Sequence, residues 1–169
     1  MSKKQKLKPP TAIIGKSIFD SNRQTLVNPV NCVGVMGAGL AKEFKARFPL
    51  MFDEYARLCL LKHLKVGRPM VYTDSTPWVL NFPTKQHYGH DSKMEHLTAG
   101  MNYLFEHYQE MGITSLAVPM LGCGFGKLDP KTVLPYLRKA FGLFSIPVDL
   151  YVDRAVVDCQ PLFSYTYQV

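Results

Sequence analysis

The chain has 169 residues, of which 47% are hydrophobic and 20% are charged, and its formal net charge is +7. This length fits one ordinary domain that can bury a core without disulfides or metals. The composition is that of a soluble globular protein, and no apolar run approaches the roughly 20 residues of a membrane span, so we exclude a membrane protein.

The first ten residues, MSKKQKLKPP, carry much of the positive charge. Four lysines stand there: Lys3, Lys4, Lys6 and Lys8. Without them, residues 9–169 carry a net charge of +3. The segment lacks the apolar stretch of a secretory signal, so we place the protein in the cytoplasm. We expect residues 1–10 to form a flexible basic tail and residues 11–169 a single domain. The alternative for the tail is a weak, salt-dependent attraction to phosphate-rich partners, nucleic acid included.

Short β-type runs alternate with longer helical patterns along the rest of the chain. The predicted strands are TAIIG, TLVNPVN, PMVYT, WVLNF, TSLAVPML and PVDLYV, and the predicted helices cover residues 38–48, 51–64, 93–111 and 130–141. This alternation predicts an α/β fold, a three-layer α/β/α sandwich with a mixed, mostly parallel central sheet. In such sheets ligands bind beyond the carboxyl ends of the strands, so the loops after strands are the places to search.

Several boundaries of the predicted helices carry their own signals. Asp129 followed by Pro130 is typical of a helix cap, and Gly112 is a plausible left-handed stop. Pro135 lies inside the last predicted helix, or within its first turn if Thr132 is the cap. The final segment, CQPLFSYTYQV, is interpreted as an added strand or tail.

A first glycine loop, CVGVMGAGLAKEF, follows the second predicted strand. Gly34, Gly37 and Gly39 stand between that strand and a predicted helix. Glycine in this position lets backbone N–H groups approach an anion, with the positive end of the helix dipole behind them. The spacing matches neither G-x-G-x-x-G nor G-x-x-x-x-G-K-[ST], so a dinucleotide fold and a P-loop are poorly supported. The alternative is a tight turn that only packs the helix on the strand.

A second loop, AVPMLGCGFGKLDP, repeats the arrangement. Here a predicted strand is followed by Gly122, Gly124 and Gly126, and then by a capped helix. Two such loops at one edge of a sheet would form a two-sided cradle, suited to a diphosphate rather than to a single phosphate. The pair of loops therefore favours phosphate binding over simple packing.

The cysteines argue against metal and disulfide chemistry. All four are far apart in sequence, and they form no CxxC pair and have no histidine at zinc-ligand spacing: Cys32, Cys59, Cys123 and Cys159. We expect reduced thiols, no metal site and no cofactor.

The two loops together resemble those of the macrodomain family, α/β/α modules that bind ADP-ribose. The resemblance covers about residues 26–141 and is carried by VNPVNCVGVMGAGLAKEFKARFP and VPMLGCGFGKLDPKTVLPYLRKAF. It implies that both loops hold the diphosphate and the distal ribose, with Asn28 and Asn31 beside that ribose. The ligand-binding residues so implied are Asn28, Val35, Met36, Gly37, Ala38, Gly39, Leu40, Leu121, Gly122, Cys123, Gly124, Phe125 and Gly126.

Within the family, NFPTK followed by SKMEHLTAGMNYL is similar to the DarG branch, whose members remove ADP-ribose from DNA bases. A close relative of that branch is the terminal ADP-ribose protein glycohydrolase. The chain departs from the family in two places. Lys16 or Ser17 occupies the place of an aspartate that reads adenine in many macrodomains. Gly126 stands where the protein-directed glycohydrolase has an aspartate, and this favours the DNA-directed branch.

Lys85, in the stretch LNFPTKQHYG, is the candidate nucleophile. In related lysine-dependent hydrolases the lysine stands at the matching position, and a neutral amine could attack the opened distal ribose to form a Schiff base. Asn31 would orient the ribose hydroxyls. An ordinary lysine, with a pKa of about 10.4, is a poor nucleophile, so burial or nearby cations must lower it. The alternative is a solvated loop charge, paired with Asp91 or Glu95.

The resemblance implies a lysine-dependent N-glycosidic hydrolase that removes ADP-ribose from modified bases in DNA. His87 and Tyr88 are candidates for stacking on the leaving base, or are ordinary surface residues. Two other functions use the same cradle: a phosphatase acting on ADP-ribose 1″-phosphate, and a non-catalytic reader of ADP-ribose. The expected partners are ADP-ribose and ADP-ribosylated DNA. The chain could be an antitoxin or a free-standing enzyme that reverses a defence modification. If it is an antitoxin, a cognate DNA ADP-ribosyltransferase is a further expected partner. We expect a monomer.

Overall fold

A computed structural model describes residues 8–158 of the chain. Most of the tail predicted over residues 1–10 lies outside the described residues, as does the added strand or tail predicted over residues 159–169. The single domain expected over residues 11–169 is therefore described as far as residue 158.

The described residues form an alternating series of strands and helices. The strands are β1 (Thr11–Ile14), β2 (Thr25–Val30), β3 (Met70–Tyr72), β4 (Trp78–Pro83), β5 (Leu116–Val118) and β6 (Val148–Val152). The helices are α1 (Gly39–Arg47), α2 (Pro49–Leu60), α3 (Met94–His107), α4 (Pro130–Phe141) and the short α5 (Arg154–Asp158), with a 3₁₀ turn at Ile18–Asp20. None of these helices is long and apolar enough to cross a membrane.

The strands form one sheet in the order β1-β6-β5-β2-β4-β3. Every neighbouring pair is parallel except β3 with β4, which is antiparallel. The carboxyl ends of β1, β2, β4, β5 and β6 therefore meet at one edge of the sheet. The predicted mixed, mostly parallel sheet is confirmed.

Two separate hydrophobic cores lie on the two faces of the sheet. Because consecutive residues of a strand point to opposite faces, β2 buries Val27 on one side and Leu26 on the other. Val27 packs in the core formed with α3 and α4, which includes Leu97 and Leu137. Leu26 packs in the core formed with α1 and α2, which includes Phe44. These two cores make the fold the three-layer α/β/α sandwich that the sequence predicts.

The last predicted helix, α4, begins where its cap signal indicates. The side chain of Asp129 accepts a hydrogen bond from the backbone N–H of Lys131 at 2.9 Å, and proline occupies the first turn. Thr132 donates its own N–H to the Asp129 carbonyl, so it is helical and is not the cap. Pro135 therefore lies inside the helix, which tolerates the loss of one N–H donor while it buries Leu134 and its apolar neighbours.

Two other helices and one strand end three or four residues earlier than predicted. α2 ends at Leu60, not at residue 64, because Lys62 takes a left-handed φ of 57° that no α-helix continues. α3 ends at His107, and turns connect it to Gly112, whose φ of 78° is the left-handed stop that the sequence predicts. β5 covers only Leu116–Val118, since the next residue, Pro119, has no N–H for the sheet.

Candidate ligand cavity and the buried lysine

A cavity of about 880 Å³ opens at the edge where the parallel strands end. Its floor includes Val30 from the end of β2, Thr84 after β4, Met120 after β5 and Val152 from β6. A site of this size suits a ligand as large as a nucleotide, and its place at the carboxyl ends of the strands is the usual one in open α/β sheets.

The first glycine loop forms one wall of the cavity. It runs from β2 to α1, and its apex Gly37–Ala38–Gly39 lines the cavity. Gly39 begins α1 with a φ of 55°, a conformation that favours glycine. The first N–H groups of α1 have no partner within the helix, so they are available to an anion at this wall.

Asn31 braces this loop from inside. Its amide Nδ2 donates to the carbonyl of Val35 at 2.8 Å, and its Oδ1 accepts from the backbone N–H of Val33 at 3.0 Å and from the Tyr55 hydroxyl at 2.8 Å. Asn31 also lines the cavity. The side chain thus holds the loop in shape and retains one amide hydrogen for a ligand.

The second glycine loop forms the opposite wall. Gly122 has a φ of 75°, and its carbonyl accepts from the N–H of Leu128 at 2.9 Å, which closes the loop before α4 begins. The two walls touch, since a Cβ built on Gly39 would lie 3.1 Å from the ring of Phe125. Phe125 is 69% exposed. Its ring covers part of the cavity from the second loop, and the two loops form one cradle.

Gly126 has no room for a side chain. A Cβ at this position would collide with Ser92 Oγ and with the Gly122 carbonyl. The packing around position 126 therefore leaves no room for the aspartate that the protein-directed glycohydrolase carries there. By contrast, a Cβ on Gly124 would meet nothing within 4 Å.

The contrast predicts that an aspartate destabilises the protein at one of these positions and not at the other. Gly126→Asp should lower the free energy of unfolding by about 2 kcal/mol or more, because overpacking displaces Ser92 or the loop backbone. Gly124→Asp, the matched control, should change it by less than about 0.5 kcal/mol. Chemical denaturation measures both variants, and a Gly126→Asp protein as stable as the wild type would contradict this packing.

Lys85 lines the same cavity as Asn31. β2 and β4 stay paired past their ends, since Thr84 donates its N–H to Val30 at 2.9 Å and Cys32 donates to Gln86 at 3.1 Å. Lys85 follows the buried end of β4, and the residue is only 9% exposed. It is therefore not a solvated loop charge.

The amine of Lys85 is bonded to main-chain carbonyls and not to a carboxylate. Nζ donates to His90 at 3.0 Å, to Phe125 at 3.1 Å and to Tyr88 at 3.5 Å. Asp91, one of the two acids considered as its partner, forms an ion pair with Lys127 at 3.2 Å. Burial lowers the pKa of Lys85 below its usual value, and the charge of Lys127 adds to this while that of Asp91 opposes it. Burial and Lys127 therefore favour the neutral amine, while Asp91 and the three carbonyls favour the ammonium form.

Cysteine is a poor rival nucleophile in this cavity. Cys123 lines it, but burial, with a contribution from Asp129, raises the pKa of the thiol to about 12. Cys32 is buried close by, and desolvation raises its pKa to about 11. Both are thiols rather than thiolates at neutral pH, and the thiolate is the reactive form. Within residues 8–158 no group of three His, Cys, Asp or Glu side chains could hold a metal ion.

Most of the residues predicted for the site line the cavity. They are Asn31, Val35, Gly37, Ala38, Gly39, Leu40, Lys85, Tyr88, Gly122, Cys123, Gly124, Phe125 and Gly126. His87 does not line it, but its ring packs on that of Tyr88 with centroids 4.1 Å apart. Met36 and Leu121 are buried behind the loops, at 2% and 0% exposure, and support the walls from within.

The expected contact between Asn28 and the distal ribose requires correction. Asn28 is fully buried, and its Nδ2 donates to Asn81 Oδ1 at 3.1 Å and lies 3.8 Å from the sulfur of Met36. The strand alternation turns this side chain into the layer between β2 and the helices α1 and α2, where Met51 also contacts Asn81. Asn28 belongs to the core and not to the cavity.

A third wall of the cavity was not predicted as a unit. It is built by the ends of β1 and β6, which are joined by a hydrogen bond from the Gly15 N–H to the Val152 carbonyl at 3.0 Å. Lys16 and Asp153, the next residue of each segment, both line the cavity. Further lining residues from this wall and from the strand ends are Ser17, Ile18, Phe19, Pro29, Tyr151 and Val156. The signal in the sequence was Gly15 directly after a strand, but nothing local indicates that β1 pairs with β6.

The layered sheet and the cradle at its edge define the class of α/β/α domains with a ligand cavity beyond the ends of parallel strands. The Macro domain family model matches residues 27–137. The chain belongs to the macrodomain family.

Two relatives are similar over most of this chain. A fusion protein of DNA ADP-ribosyl transferase and DNA ADP-ribosyl glycohydrolase from Thermosipho africanus is 33% identical and covers 92% of this chain and 45% of the relative. The DNA ADP-ribosyl glycohydrolase of Mycobacterium tuberculosis is 41% identical over 73% of this chain and 36% of the relative. The chain thus spans less than half the length of these relatives.

Solved structures give the same picture. The macrodomain of Mycobacterium tuberculosis DarG matches with a TM-score of 0.76 and 36% identity, over 83% of this chain and 97% of that one. Thermosipho africanus DarTG in complex with ADP-ribose matches with a TM-score of 0.78 and 34% identity, over 86% of this chain and 42% of that one.

Proposed function

We propose that this protein is a hydrolase that removes ADP-ribose from modified nucleobases in DNA and uses Lys85 as its nucleophile. The observation that carries the proposal is the buried amine of Lys85 in a cradle of two glycine loops. The names of the similar proteins, DNA ADP-ribosyl glycohydrolases from two bacteria, support the substrate.

The cradle suits a diphosphate between two sugars. Its two walls offer backbone N–H groups at the start of α1 and in the loop before α4, and helix N-termini favour anions. A diphosphate held there would place its distal ribose at the floor, beside Asn31 and Lys85. One amide hydrogen of Asn31 remains for a ribose hydroxyl, and the loop contacts restrict the movement of the sugar.

The chemistry then follows from the amine. When the distal ribose opens, the C1″–O4″ bond breaks and O4″ takes a proton from solvent. The neutral Nζ of Lys85 then bonds to C1″, a proton passes from Nζ to the base nitrogen, and the bond from C1″ to that nitrogen breaks, which leaves a protonated Schiff base. Water adds to the resulting Schiff base, and its hydrolysis releases ADP-ribose and the free lysine. Only the neutral amine attacks, so the rate should rise with pH up to the pKa of Lys85, which burial has lowered. No carboxylate at position 126 is needed.

Tyr88 is proposed to hold the leaving base. Tyr88 is 57% exposed and lines the cavity with Lys85, and its ring packs against that of His87 to make a platform there. Stacking of a base on an aromatic ring contributes about 1–3 kcal/mol. Tyr88→Ala should therefore lower kcat/KM for modified DNA by about tenfold or more and leave the affinity for free ADP-ribose unchanged. Tyr88→Phe, which keeps the ring, should stay near the wild type.

This assignment is contradicted by either of two results. In one, Tyr88→Ala processes modified DNA as the wild type does. In the other, it loses affinity for free ADP-ribose to the same extent, which would place the ring on the sugar or the diphosphate.

The proposed substrate is tested by following free ADP-ribose from a panel. The panel contains DNA modified on thymine, DNA modified on guanine, ADP-ribosylated protein and ADP-ribose 1″-phosphate. Release from DNA of one kind supports the proposal. Turnover of the 1″-phosphate alone, retained in a Lys85 variant, would identify a phosphatase, and binding without any turnover would identify a reader.

The proposal extends to the setting in which the enzyme works. One relative is fused to a DNA ADP-ribosyl transferase, which supports a cognate transferase as the partner whose modification this protein reverses. The enzyme is proposed to act on DNA as a monomer in the cytoplasm.

A further inference from the structure

Lys85 is held in a cage of three carbonyls that suits the ammonium form. An ammonium group has three N–H donors, and the carbonyls of His90, Phe125 and Tyr88 lie at 3.0, 3.1 and 3.5 Å from Nζ. A neutral amine has two N–H groups and a lone pair, which one of these oxygens would repel. The cage therefore opposes the burial that favours deprotonation.

The carbonyls of the cage come from two separate segments of the chain. Tyr88 and His90 belong to the segment after β4, and Phe125 belongs to the second glycine loop. Two contacts join these segments, a hydrogen bond from the Ser92 N–H to the Gly126 carbonyl at 2.9 Å and the ion pair of Asp91 with Lys127 at 3.2 Å. The ion pair thus adjoins the cage, with one charge on each segment.

Lys127 is held at this position by an unusual backbone. Its backbone φ is 61°, a value that residues other than glycine and asparagine seldom take. Both charges are largely exposed, at 72% for Lys127 and 64% for Asp91, so the pair adds little to stability. The pair does adjoin the carbonyl cage, because Asp91 follows His90 directly and Lys127 lies two residues after Phe125.

We propose that Asp91 and Lys127 are positioning residues that set the protonation of Lys85. The inference rests on the proposed function, in which the neutral amine attacks the ribose. In the intact pair the two charges act on Lys85 in opposite directions, since Asp91 stabilises the ammonium form and Lys127 repels it. Loss of the anion leaves Lys127 to repel the ammonium, and loss of the cation leaves Asp91 to stabilise it. Neither side chain touches the reacting atoms.

Two matched variants separate this role from a structural one. Asp91→Asn should move the alkaline rise of kcat/KM to lower pH by about half a unit, and Lys127→Asn should move it to higher pH by a similar amount. Asparagine suits Lys127 because it tolerates a positive φ. The double variant should return close to the wild type. Added salt should reduce the difference in pH profile between the two single variants, because salt screens exposed charges.

Other titratable groups near Lys85 must be kept constant. They are the imidazoles of His87 and His90 on the same segment, the phenol of Tyr88, and His96 of α3, whose Nδ1 lies 3.1 Å from the Thr84 carbonyl. All variants keep these groups, so differences between variants report the ion pair.

A measurement on Lys85 itself does not depend on turnover. The pKa of Lys85 is read from the ¹³Cε shift in lysine-labelled protein, with Lys85→Arg used to assign the signal. Opposite shifts in the two single variants support the inference. Shifts in the same direction, or none, overturn it and leave the proposed function standing. If the shifts are opposite but Lys85→Ala retains full activity, the proposed function fails and the electrostatic role of the pair remains.

Discussion

Replacement of Lys85 by alanine is expected to abolish release of ADP-ribose from modified DNA. We expect a loss of at least about a thousandfold in single-turnover rate. Lys16 also lines the cavity, but it is exposed and follows β1, four strands away from β4 in the sheet, so it cannot replace Lys85. Binding of ADP-ribose should stay within about twofold of the wild type, since the diphosphate is held by the backbone of the two loops. Single-turnover assays and calorimetry on the same protein measure the two effects.

Lys85→Arg separates the charge of the side chain from its reactivity. Arginine keeps the positive charge and the donors to the carbonyl cage, but it does not deprotonate in proteins. It should therefore be as inactive as alanine. Lys139→Ala removes an exposed lysine on α4 and serves as the control with normal activity. Full activity in either Lys85 variant would contradict the lysine mechanism.

A negative charge in the cradle is expected to have the second largest effect. Gly37 and Gly124 line the cavity. A Cβ on Gly124 would meet nothing within 4 Å, and a Cβ on Gly37 would meet only Val35 Cγ1 at 3.6 Å, an ordinary van der Waals distance, so both positions accept a side chain without disturbing the fold. Gly37→Glu and Gly124→Glu should each weaken ADP-ribose binding by about a hundredfold. The added chain blocks the approach of the diphosphate to the backbone, and its carboxylate repels it.

The neutral variants Gly37→Gln and Gly124→Gln measure the steric part alone. They have the same size as the glutamates, so we expect about tenfold weaker binding from bulk and a further tenfold, about 1.4 kcal/mol, from charge. The difference between Glu and Gln should shrink at high salt. Unchanged affinity in both glutamate variants would show that the ligand does not lie between the loops.

The cradle could be predicted from sequence because its signals are local. A glycine run between a strand and a helix requires only neighbouring residues, and Asp129 with Pro130 marks the start of α4 in the same way. The two loops meet because both follow central parallel strands, β2 and β5, which are neighbours in the sheet. The fold class followed from the same alternation of strands and helices.

Features that depend on strand order and on side-chain direction could not be predicted. The wall that carries Lys16 and Asp153 arises from the pairing of the first strand with the last, more than 130 residues apart. Asn28 was placed beside the ribose, yet its position in β2 directs it into the core. The carbonyl cage of Lys85 draws on a loop 40 residues further along the chain, and no local pattern reports such a contact.

The most direct test of the account is to trap the Schiff base. The enzyme is mixed with ADP-ribosylated DNA, the imine is reduced with cyanoborohydride, and the protein is digested and mapped by mass spectrometry. The account predicts one adduct with the mass of reduced ADP-ribose, on the peptide that contains Lys85, and none in Lys85→Arg. An enzyme that turns over its substrate while no adduct forms at Lys85 would contradict it.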